Sequence, residues 1–313
     1  MSSLVVESPG QLTTVQDLGR TGYGAMGVSA SGAADPVALQ IGNRLVGNTP
    51  GAAALEITLA GGTFAFPEGG VICLAGADFG AQLDGRELVP WRAHAVLPGK
   101  RVSLGATRDF ARCYLCVAGG IQVEEFLGSA STHLLSGLGG WHGRALQKGD
   151  ILSVGEVEER IRQKKMAPGV LDALRPRKTL RVTRGPQFAW FAEETQKRLF
   201  EEEFRVSEEA NRMGLRLEGP LLATREKKEM ISEGAPLGAI QVTPLGQAII
   251  LFVEQQTTGG YPKIANVIGA DLHCVGQLRP RDTIRFEEVS FEQARALWIE
   301  QQGLVGSEEQ LFT

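Results

Sequence analysis

The sequence predicts a mainly β protein with a few helices, organised as two β-barrel-like domains. Its 313 residues include 40 glycines and only 6% aromatic residues, a composition typical of many tight turns between short strands. Through the first half of the chain, apolar segments of four to seven residues alternate with polar turns, which is the spacing of a barrel or a sandwich. An apolar residue, a tight polar turn and an alternating strand recur together at 97–104, 146–153 and 278–285. The second and third copies resemble the closing strands of two separate β units.

The boundary between the domains is predicted near residue 170. Residues 155–178 are rich in charge and end in Arg-Pro-Arg-Lys, a composition expected of a surface connection. This division assigns residues 1–170 to an N-terminal β-rich domain and residues 171–313 to a C-terminal barrel domain with a terminal helix. The chain is long enough for two ordinary domains or one large one, and for a sizeable core.

In the N-terminal domain the pattern predicts one helix and a series of strands. Asp35 followed by Pro36 starts the helix, because aspartate caps a helix and proline suits its first position. Residues 11–27 are predicted to be a loop, since their glycines disfavour a helix, and a loop of this length is usually functional or disordered. Strands are predicted at 4–7, 55–59, 63–66, 71–75, 81–83, 94–97, 101–104, 112–118 and 150–154, with a hairpin turn at Asp84 and Gly85.

The C-terminal domain is predicted to open with a strand at 180–183. Pro186 can then begin a helix that continues to about residue 203. Residues 248–253 form a continuous apolar run, as expected of a strand buried on both faces. Ser290 begins the last helix, because Gln293 three positions later completes a capping box.

Composition argues against several classes of partner. The formal net charge is −4 and the sequence has no basic stripe with interleaved aromatic residues, so neither nucleic acid nor an anionic membrane is expected. No apolar run approaches the roughly 20 residues of a membrane span, and the N-terminus lacks the features of a signal peptide. We therefore expect a cytoplasmic protein.

The four cysteines do not indicate a metal site. Cys113 and Cys116 form a CxxC pair, but they lie in a predicted strand, where residues three apart point to opposite faces. The sequence has no second CxxC, and none of its four histidines has ligand spacing. We expect these two cysteines, with Cys73 and Cys274, to be reduced and mostly buried, and no metal to be bound.

The first candidate site follows the apolar run at 248–253. Beyond Glu254, two amides and two hydroxyls precede a pair of glycines that opens the backbone to close approach. Such a segment suits a neutral ligand with paired C=O and N–H groups, such as a lactam, ureido or amide group. An ordinary hairpin whose side chains bond their own backbone is the alternative interpretation. The residues are Gln255, Gln256, Thr257, Thr258, Gly259 and Gly260.

A second group of candidates is cationic. Arg184 and Gln187 lie near the predicted helix start, where an anion could be bound; a solvated arginine beside a turn is the alternative. Arg212 and Arg216, beside Asn211, are either two surface charges or a pair of forks that hold a carboxylate or phosphate. The spacing leaves both interpretations of each pair open.

Eight segments carry a resemblance to a known family. They are TTVQDLGRTGYGAMGVSASGAAD at 13–35, NRLVGN at 43–48, LEITLAGG at 55–62, LAGADF at 74–79, RGPQ at 184–187, NRMGLRLEGP at 211–220, SEGAPLGAIQV at 232–242 and QTTGGYPKIANVI at 256–268. In order and over almost the whole chain, they resemble the KipA family. That family includes one component of the bacterial ATP-dependent 5-oxoprolinase. It is also similar to one half of the carboxyltransferase of urea carboxylase, called allophanate hydrolase subunit 2.

The resemblance implies two barrel-like domains, at least one of them cyclophilin-like, and a hetero-oligomer. The family members that are C-type components of 5-oxoprolinase act with a KipI-type B component and a lactam-utilising A component. The B and C components are thought to activate the lactam with ATP before the A component completes hydrolysis to glutamate. The present sequence has no Walker A loop, so binding of ATP and Mg is expected to depend on the partner.

The resemblance favours a subunit of an ATP-dependent 5-oxoprolinase complex, a lactam hydrolase active only with its partners. One alternative is the carboxyltransferase subunit of a biotin-dependent carboxylase that acts on a urea-like or amide substrate. The biotin carboxylase and biotin carrier would then be separate proteins. A third possibility is a regulatory protein that binds a KipI-like inhibitor.

The hypothesis assigns a role to each candidate residue. Lactam binding is assigned to Gln256, Thr257, Thr258, Gly259, Gly260 and Gln187. Neutralisation of a carboxylate or a developing phosphoryl charge is assigned to Arg212 and Arg216, orientation of the substrate to Asn211, and added positive potential to Lys263 and Arg184. Asp17 and Arg20 are expected to line the opposite wall.

The sequence names no obvious nucleophile. Glu254 is a candidate general base if burial favours its protonated form. It also departs from the family pattern, in which Asp is common at this position; Ala34 likewise stands where Met is common. The first departure lengthens the carboxylate by one methylene and so changes its reach.

Overall fold

A computed structural model describes residues 2–157, 164–225 and 230–313. The chain forms two compact units. The first contains Met1–Arg20, Ser31–Leu174 and Leu304–Thr313, and the second contains Thr21–Ala30 and Arg175–Gly303. The sequence-based division into 1–170 and 171–313 has a single boundary, whereas two further segments of the chain exchange between the units. Short segments of this kind carry no signal in composition, because long-range packing decides which core they join.

The described strands of the first unit form two antiparallel sheets. They are β1 (Ser2–Ser8), β2 (Leu12–Gln16), β3 (Ala54–Thr58), β4 (Thr63–Phe66), β5 (Gly70–Gly76), β6 (Gln82–Leu83), β7 (Arg86–Glu87), β8 (His94–Val96), β9 (Lys100–Ser103), β10 (Arg112–Val117), β11 (Ile121–Gln122) and β12 (Ile151–Val154). A seven-stranded sheet has the order β11-β12-β1-β4-β9-β6-β7, and a five-stranded sheet has the order β2-β3-β10-β5-β8. The predicted closing strand at 146–153 corresponds to β12, which pairs with β1 and β11.

The five-stranded sheet is buried on both faces. One face shares a hydrophobic core with the seven-stranded sheet, to which Leu55 and Leu115 contribute from one side and Phe64 from the other. Helix α1 (Pro36–Leu45) covers the other face, where Leu39 and Ile41 lie in a second core. Because both faces are covered, every residue of β10 is buried. This explains why β10 reads as a nearly continuous apolar segment.

The cysteines of β10 confirm the predicted alternation of faces. Cys113 lies in the core between the sheets, and Cys116 lies in the core under α1. All four cysteines are free and buried, as predicted. Burial raises the pKa of the Cys73 thiol to about 12 and also raises the pKa of Cys113 and Cys116. These three thiols are therefore protonated and unreactive at neutral pH.

Helix α1 begins where the sequence predicts, and a buried network holds its start. Asp35 Oδ1 accepts a hydrogen bond from the Ala38 N–H at 2.9 Å, which is the predicted N-cap. The Tyr114 hydroxyl accepts from the Asp35 N–H at 2.8 Å and donates to Glu56 Oε2 at 2.7 Å. The same carboxylate oxygen accepts from the Ala34 N–H at 2.8 Å. Burial, reinforced by the Glu56 charge, raises the pKa of Tyr114, so the hydroxyl keeps its proton.

The second unit contains a closed barrel. The described strands of the second unit are β13 (Thr179–Arg184), β14 (Phe204–Val206), β15 (Gly214–Glu218), β16 (Glu233–Gly234), β17 (Ala239–Val242), β18 (Ala248–Leu251), β19 (Thr258–Gly259), β20 (Lys263–Val267) and β21 (Thr283–Glu288). The barrel order is β13-β20-β17-β18-β15-β14-β21, and parallel pairing of β13 with β21 closes it. The predicted fold class, mainly β with a few helices, is confirmed, and this unit supplies a closed barrel of seven strands. The predicted closing strand at 278–285 is confirmed by β21.

The helices beyond α1 are mostly short. They are α2 (Pro168–Ala173), α3 (Glu193–Glu201), α4 (Leu272–Gly276), α5 (Phe291–Gly306) and α6 (Glu308–Leu311). The capping box of α5 is confirmed, because the Ser290 N–H donates to Gln293 Oε1 at 2.8 Å and the Gln293 N–H donates to Ser290 Oγ at 3.2 Å. Within the described ranges, no helix combines the length and hydropathy needed to cross a membrane.

Three predictions of local structure are corrected. Residues 12–16 form β2 rather than a loop, because they pair along their whole length with β3. The predicted helix from Pro186 to 203 is interrupted: a 3₁₀ turn at Phe188–Trp190 precedes α3, and Phe191 between them is extended and fully buried. The predicted surface connection includes α2 and a buried Met166, while residues 158–163 of it lie outside the described residues. In each case non-local packing overrides the local signal.

We predict that Tyr114→Phe destabilises the first unit. The substitution keeps the ring but leaves the Asp35 N–H and the Glu56 carboxylate without the hydroxyl between them, which costs about 1–3 kcal/mol for buried groups. Urea unfolding followed by circular dichroism measures the loss. Tyr23→Phe is the matched control, since the Tyr23 side chain is only half-buried. Equal midpoints for the two variants would contradict the role of the hydroxyl.

Candidate functional site

The amide-rich segment at 255–260, predicted as the first candidate site, contributes strand β19 to a small two-stranded sheet in the second unit. Strand β16 pairs with β19, which places Glu233 opposite Gly259. The Ala235 N–H donates to the Thr257 carbonyl at 2.9 Å, and Gln255 Nε2 donates to the Ala235 carbonyl at 2.8 Å. The Gln255 side chain thus bonds the residue that follows β16 rather than its own backbone. The segment is therefore more than a hairpin that satisfies its own polar groups.

A buried lysine lies beside this sheet. The Lys263 side chain is only 4% exposed, and its ammonium group contacts the carboxylate of Glu233, which is 44% exposed. Gln187 joins the pair: its Nε2 donates to Glu233 Oε1 at 2.9 Å, and its Oε1 accepts from the Lys263 N–H at 3.0 Å. The hydrogen bond from Lys263, followed by that from Gln187, lowers the pKa of Glu233. An inner cation is thus covered by one outward-facing carboxylate.

Gly259 lies against two side-chain amides. A Cβ atom at this position would lie 2.6 Å from Gln241 Nε2 and 3.0 Å from Gln256 Nε2. Gln241 is buried in β17, whereas Gln256 is exposed. Two NH₂ groups therefore converge beside Gly259, and any larger residue would displace them. Thr258 and Gly260 are exposed like Gln256.

Arg212 and Glu254 form a buried ion pair at the ends of adjacent strands. Their side chains are 5% and 3% exposed, and Arg212 Nε lies 2.5 Å from Glu254 Oε1. The backbone is tied at the same place, because the Glu254 N–H donates to the Arg212 carbonyl at 2.8 Å. This bond extends the pairing of β15 with β18. In this arrangement Glu254 is the counter-ion of Arg212, and the predicted role of general base remains a prediction.

Arg216 and Asn211 occupy different environments from Arg212. Arg216 is 45% exposed, and its Nε lies 3.5 Å from Glu209 Oε2, also on the surface. Asn211 Oδ1 accepts from the Met213 N–H at 2.8 Å, so its side chain stabilises the turn that leads into β15. Arg212 and Arg216 are therefore neither two surface charges nor one pair of forks. One is buried in an ion pair, and the other is a surface charge.

Arg184 also has a carboxylate partner. Its Nε lies 2.6 Å from Glu288 Oε1 and its Nη2 lies 3.1 Å from Glu288 Oε2, an arrangement that raises the pKa of Arg184. The guanidinium also lies over the Phe188 ring, 4.5 Å from its centroid. Arg184 and Gln187 thus have separate partners, and the α-helix predicted to follow them begins only at residue 193.

In the first unit, Asp17 organises the segment 129–131. Its carboxylate accepts from the Gly19 N–H, the Ser129 hydroxyl and the Ala130 N–H, each at 2.7 Å, and from the Ser131 hydroxyl at 2.5 Å. Four donors occupy one carboxylate, so little capacity remains for a ligand. The Asp17 carboxylate thus holds the segment 129–131 against the backbone at Gly19.

Arg20 is buried behind a cavity of the first unit. It donates to the carbonyls of Ser131 and Phe126, the latter at 3.3 Å, and its guanidinium lies 5.6 Å from the Phe126 ring centroid. Phe126 lines a cavity of about 360 Å³, within the size range of small-molecule sites. The other lining residues are Val123, Glu124, Glu125, Gly137, Leu138, Gly139, Gly140, Trp141, His142 and Gly143. Arg20 is not among the residues that line the cavity; it contacts the lining residue Phe126 from the protein interior.

The sequence interpretation missed three features of these sites. Glu233 covers Lys263, and Gln241 lies under Gly259, but each looked like part of an ordinary turn or strand. The signal for Gln241 is a polar residue in the otherwise apolar strand β17. The cavity could have been found from the four glycines of 137–143, which surround a tryptophan and a histidine.

Comparison with known proteins identifies the family. The profile of the carboxyltransferase domain, subdomain A and B, matches residues 26–288. The chain is 40% identical over 286 residues to the C component of 5-oxoprolinase from Escherichia coli K12, covering 91% of each protein. It is 37% identical over 284 residues to the C component of 5-oxoprolinase from Haemophilus influenzae, covering 91% of this chain and 90% of that protein. The chain belongs to the carboxyltransferase domain family.

A solved structure gives the same result for the fold. The structure of the K. lactis urea amidolyase matches 99% of this chain with a TM-score of 0.91 and 32% sequence identity. The match spans only 20% of that longer chain. The fold described here thus also occurs as one part of a larger protein.

We predict that Arg212→Ala destabilises the second unit far more than Arg216→Ala. The first substitution leaves the buried Glu254 carboxylate without its partner, a change that typically costs about 3–5 kcal/mol. The second removes an exposed pair worth about 0–1 kcal/mol. Thermal unfolding of both variants measures the difference. Similar midpoints would show that the Arg212–Glu254 pair does not hold the strand ends.

Proposed function

We propose that this chain is a subunit of an ATP-dependent 5-oxoprolinase, in which it helps to activate the lactam of 5-oxoproline for hydrolysis to glutamate. The observation that carries the proposal is the identity of 40% and 37%, over about nine-tenths of each chain, with two proteins named as the C component of 5-oxoprolinase. A protein named as one component of an enzyme implies partners. On this proposal they are a KipI-type B component and a lactam-utilising A component, and the chain is active only in the hetero-oligomer.

The chemistry of the second unit supports a lactam as ligand. 5-Oxoproline presents a carbonyl oxygen, an N–H group and a carboxylate. The NH₂ groups beside Gly259 can donate to the carbonyl oxygen, and exposed Thr258 and the Gly260 backbone lie next to them. Lys263 is the cation we assign to the carboxylate, because its present partner Glu233 faces outward and can be exchanged for a ligand.

This assignment revises the roles of the predicted arginines. Arg212 is buried against Glu254, and Arg216 lies on the surface with Glu209. We therefore assign Arg212 the task of holding the strand ends that carry the site, and place the binding of negative charge at Lys263.

We found no support for an ATP site among the candidate residues of this chain. A triphosphate needs several cations or a cradle of backbone N–H groups, as in a P-loop. The sequence has no Walker A loop, Lys263 is already assigned to the carboxylate of the ligand, and Arg184 and Arg212 pair with carboxylates of this chain. We therefore assign ATP and Mg to the partner, and to this chain the positioning of the lactam.

A second candidate function is carboxyl transfer to a urea-like substrate from biotin. It is favoured by the match to the carboxyltransferase domain and by the TM-score of 0.91 with the K. lactis urea amidolyase. Both candidate functions require a ligand with a carbonyl oxygen and N–H groups, so the amide-rich segment at 255–260 suits both functions.

Reconstitution tests the proposed function. ADP and glutamate release are measured with this chain and the purified A and B components, with and without 5-oxoproline, and with each protein omitted in turn. We expect turnover only when all three proteins and the lactam are present. A silent complete mixture, together with urea-dependent loss of carboxyl groups from carboxybiotin, would replace this proposal by the second candidate.

We also predict that Gly259→Ala lowers kcat/KM for 5-oxoproline at least tenfold in the reconstituted complex. The added methyl group would lie 2.6 Å from Gln241 Nε2, so the amides must move out of place. Gly234→Ala is the matched control, because Gly234 lies in the paired strand β16 and an added Cβ meets nothing within 4 Å. Equal activity of the two variants would show that the convergence of amides at Gly259 is not part of the site.

A further inference from the structure

The side-chain amide of Gln241 is an unusual polar group of the second unit. The residue is 1% exposed, and its Nε2 atom is buried with no hydrogen-bond partner among the described residues. A buried donor without an acceptor costs about 1–3 kcal/mol, so native proteins rarely keep one without a use. Neighbouring amides are used differently: Gln255 Nε2 donates to Ala235 and Gln187 Nε2 donates to Glu233.

The surroundings of Gln241 Nε2 show what is missing. It lies 2.6 Å from the Cβ position of Gly259, and Gln256 Nε2 lies 3.0 Å from the same point. An amide NH₂ group is only a donor, so the two NH₂ groups cannot form a hydrogen bond with each other. An oxygen atom held between the two nitrogens would accept from both.

An unused acceptor lies in the same turn. Gln255 Oε1 is buried and, among the described residues, has no hydrogen-bond donor, although its Nε2 is bonded. The second unit therefore has an unused buried donor in β17 and an unused buried acceptor at Gln255, and neither carries a charge. A neutral ligand with C=O and N–H groups carries partners of both kinds.

We propose that Gln241 is a substrate-positioning residue whose buried Nε2 donates, together with Gln256 Nε2, to the carbonyl oxygen of a neutral amide, lactam or urea group. Gln256 is exposed and its amide lies near the same point beside Gly259, so rotation of the Gln256 side chain would make room for the ligand. The cost of the unpaired donor is then relieved only on binding, which favours ligands that carry the oxygen. The proposal rests on the proposed function for the identity of the ligand, but not for its chemical class.

The test compares Gln241→Leu and Gln241→Met in the reconstituted complex. Both substitutions remove the donor at similar volume, and methionine also keeps the unbranched shape of the glutamine side chain. We expect both to raise KM for 5-oxoproline and to lower kcat/KM about tenfold or more, since a site built to bond a polar group rejects mismatches strongly. Gln247→Leu is the matched control, as it lies in the adjoining turn with no side-chain partner in the described structure.

A binding measurement separates this inference from the proposed function. Saturation-transfer NMR is recorded on the complex with 5-oxoproline, with 2-pyrrolidone, which lacks the carboxylate, and with urea. Binding that is lost in Gln241→Leu and kept in Gln247→Leu supports the inference even if 5-oxoproline is not turned over. Wild-type KM and binding in Gln241→Leu would overturn it while the proposed function stands.

Two further outcomes are decisive. If the wild-type complex binds none of the three ligands, the inference is overturned. If Gln241→Leu fails to fold by circular dichroism, Gln241→Met, which keeps the unbranched shape of the side chain, decides the matter by the same two measurements.

Discussion

Closure of the seven-stranded barrel is the constraint on which the candidate site of the second unit depends. Strand β13 must pair with β20 on one side and, in parallel, with β21 on the other. This brings Gln187, just beyond β13, to the start of β20, where it bonds the backbone of Lys263. Strand β17 lies on the other side of β20 and brings Gln241 to the same end. Residues far apart in the sequence thus meet because a barrel has no free edge.

The site so formed has amide groups and the Glu233 carboxylate at its surface, and two cations are buried in the same unit. Amide side chains and glycine backbone lie outermost, while Lys263 and Arg212 are buried with carboxylate partners. Burying a lysine or arginine is tolerable only with such a partner, because the desolvation of an unpaired charge is too costly. The two pairs differ in one respect. Glu254 is as buried as Arg212, whereas Glu233 is partly exposed, so only the Lys263 pair has a partner that solvent or a ligand can replace.

The first unit shows the opposite use of polar residues. Asp17 and Arg20 belong to a segment that resembles a known family, and both form hydrogen bonds with residues 126–131, next to the cavity wall. Ser129 and Ser131 extend this network. Such residues are needed because a wall rich in glycine has little side-chain packing of its own.

Local signals in the sequence were sufficient for the fold class, most strand positions, both helix caps and the amide-rich turn at 255–260. Turn chemistry, alternation and capping depend on neighbouring residues, so they can be read from the chain directly. The break in the helix after Pro186, the pairing of β2 and the partners of each arginine could not, because each depends on a residue far away in sequence. Gln241 shows the limit most clearly. One polar residue in an apolar strand gives little signal, and its unpaired amide becomes meaningful only when the barrel places it under Gly259.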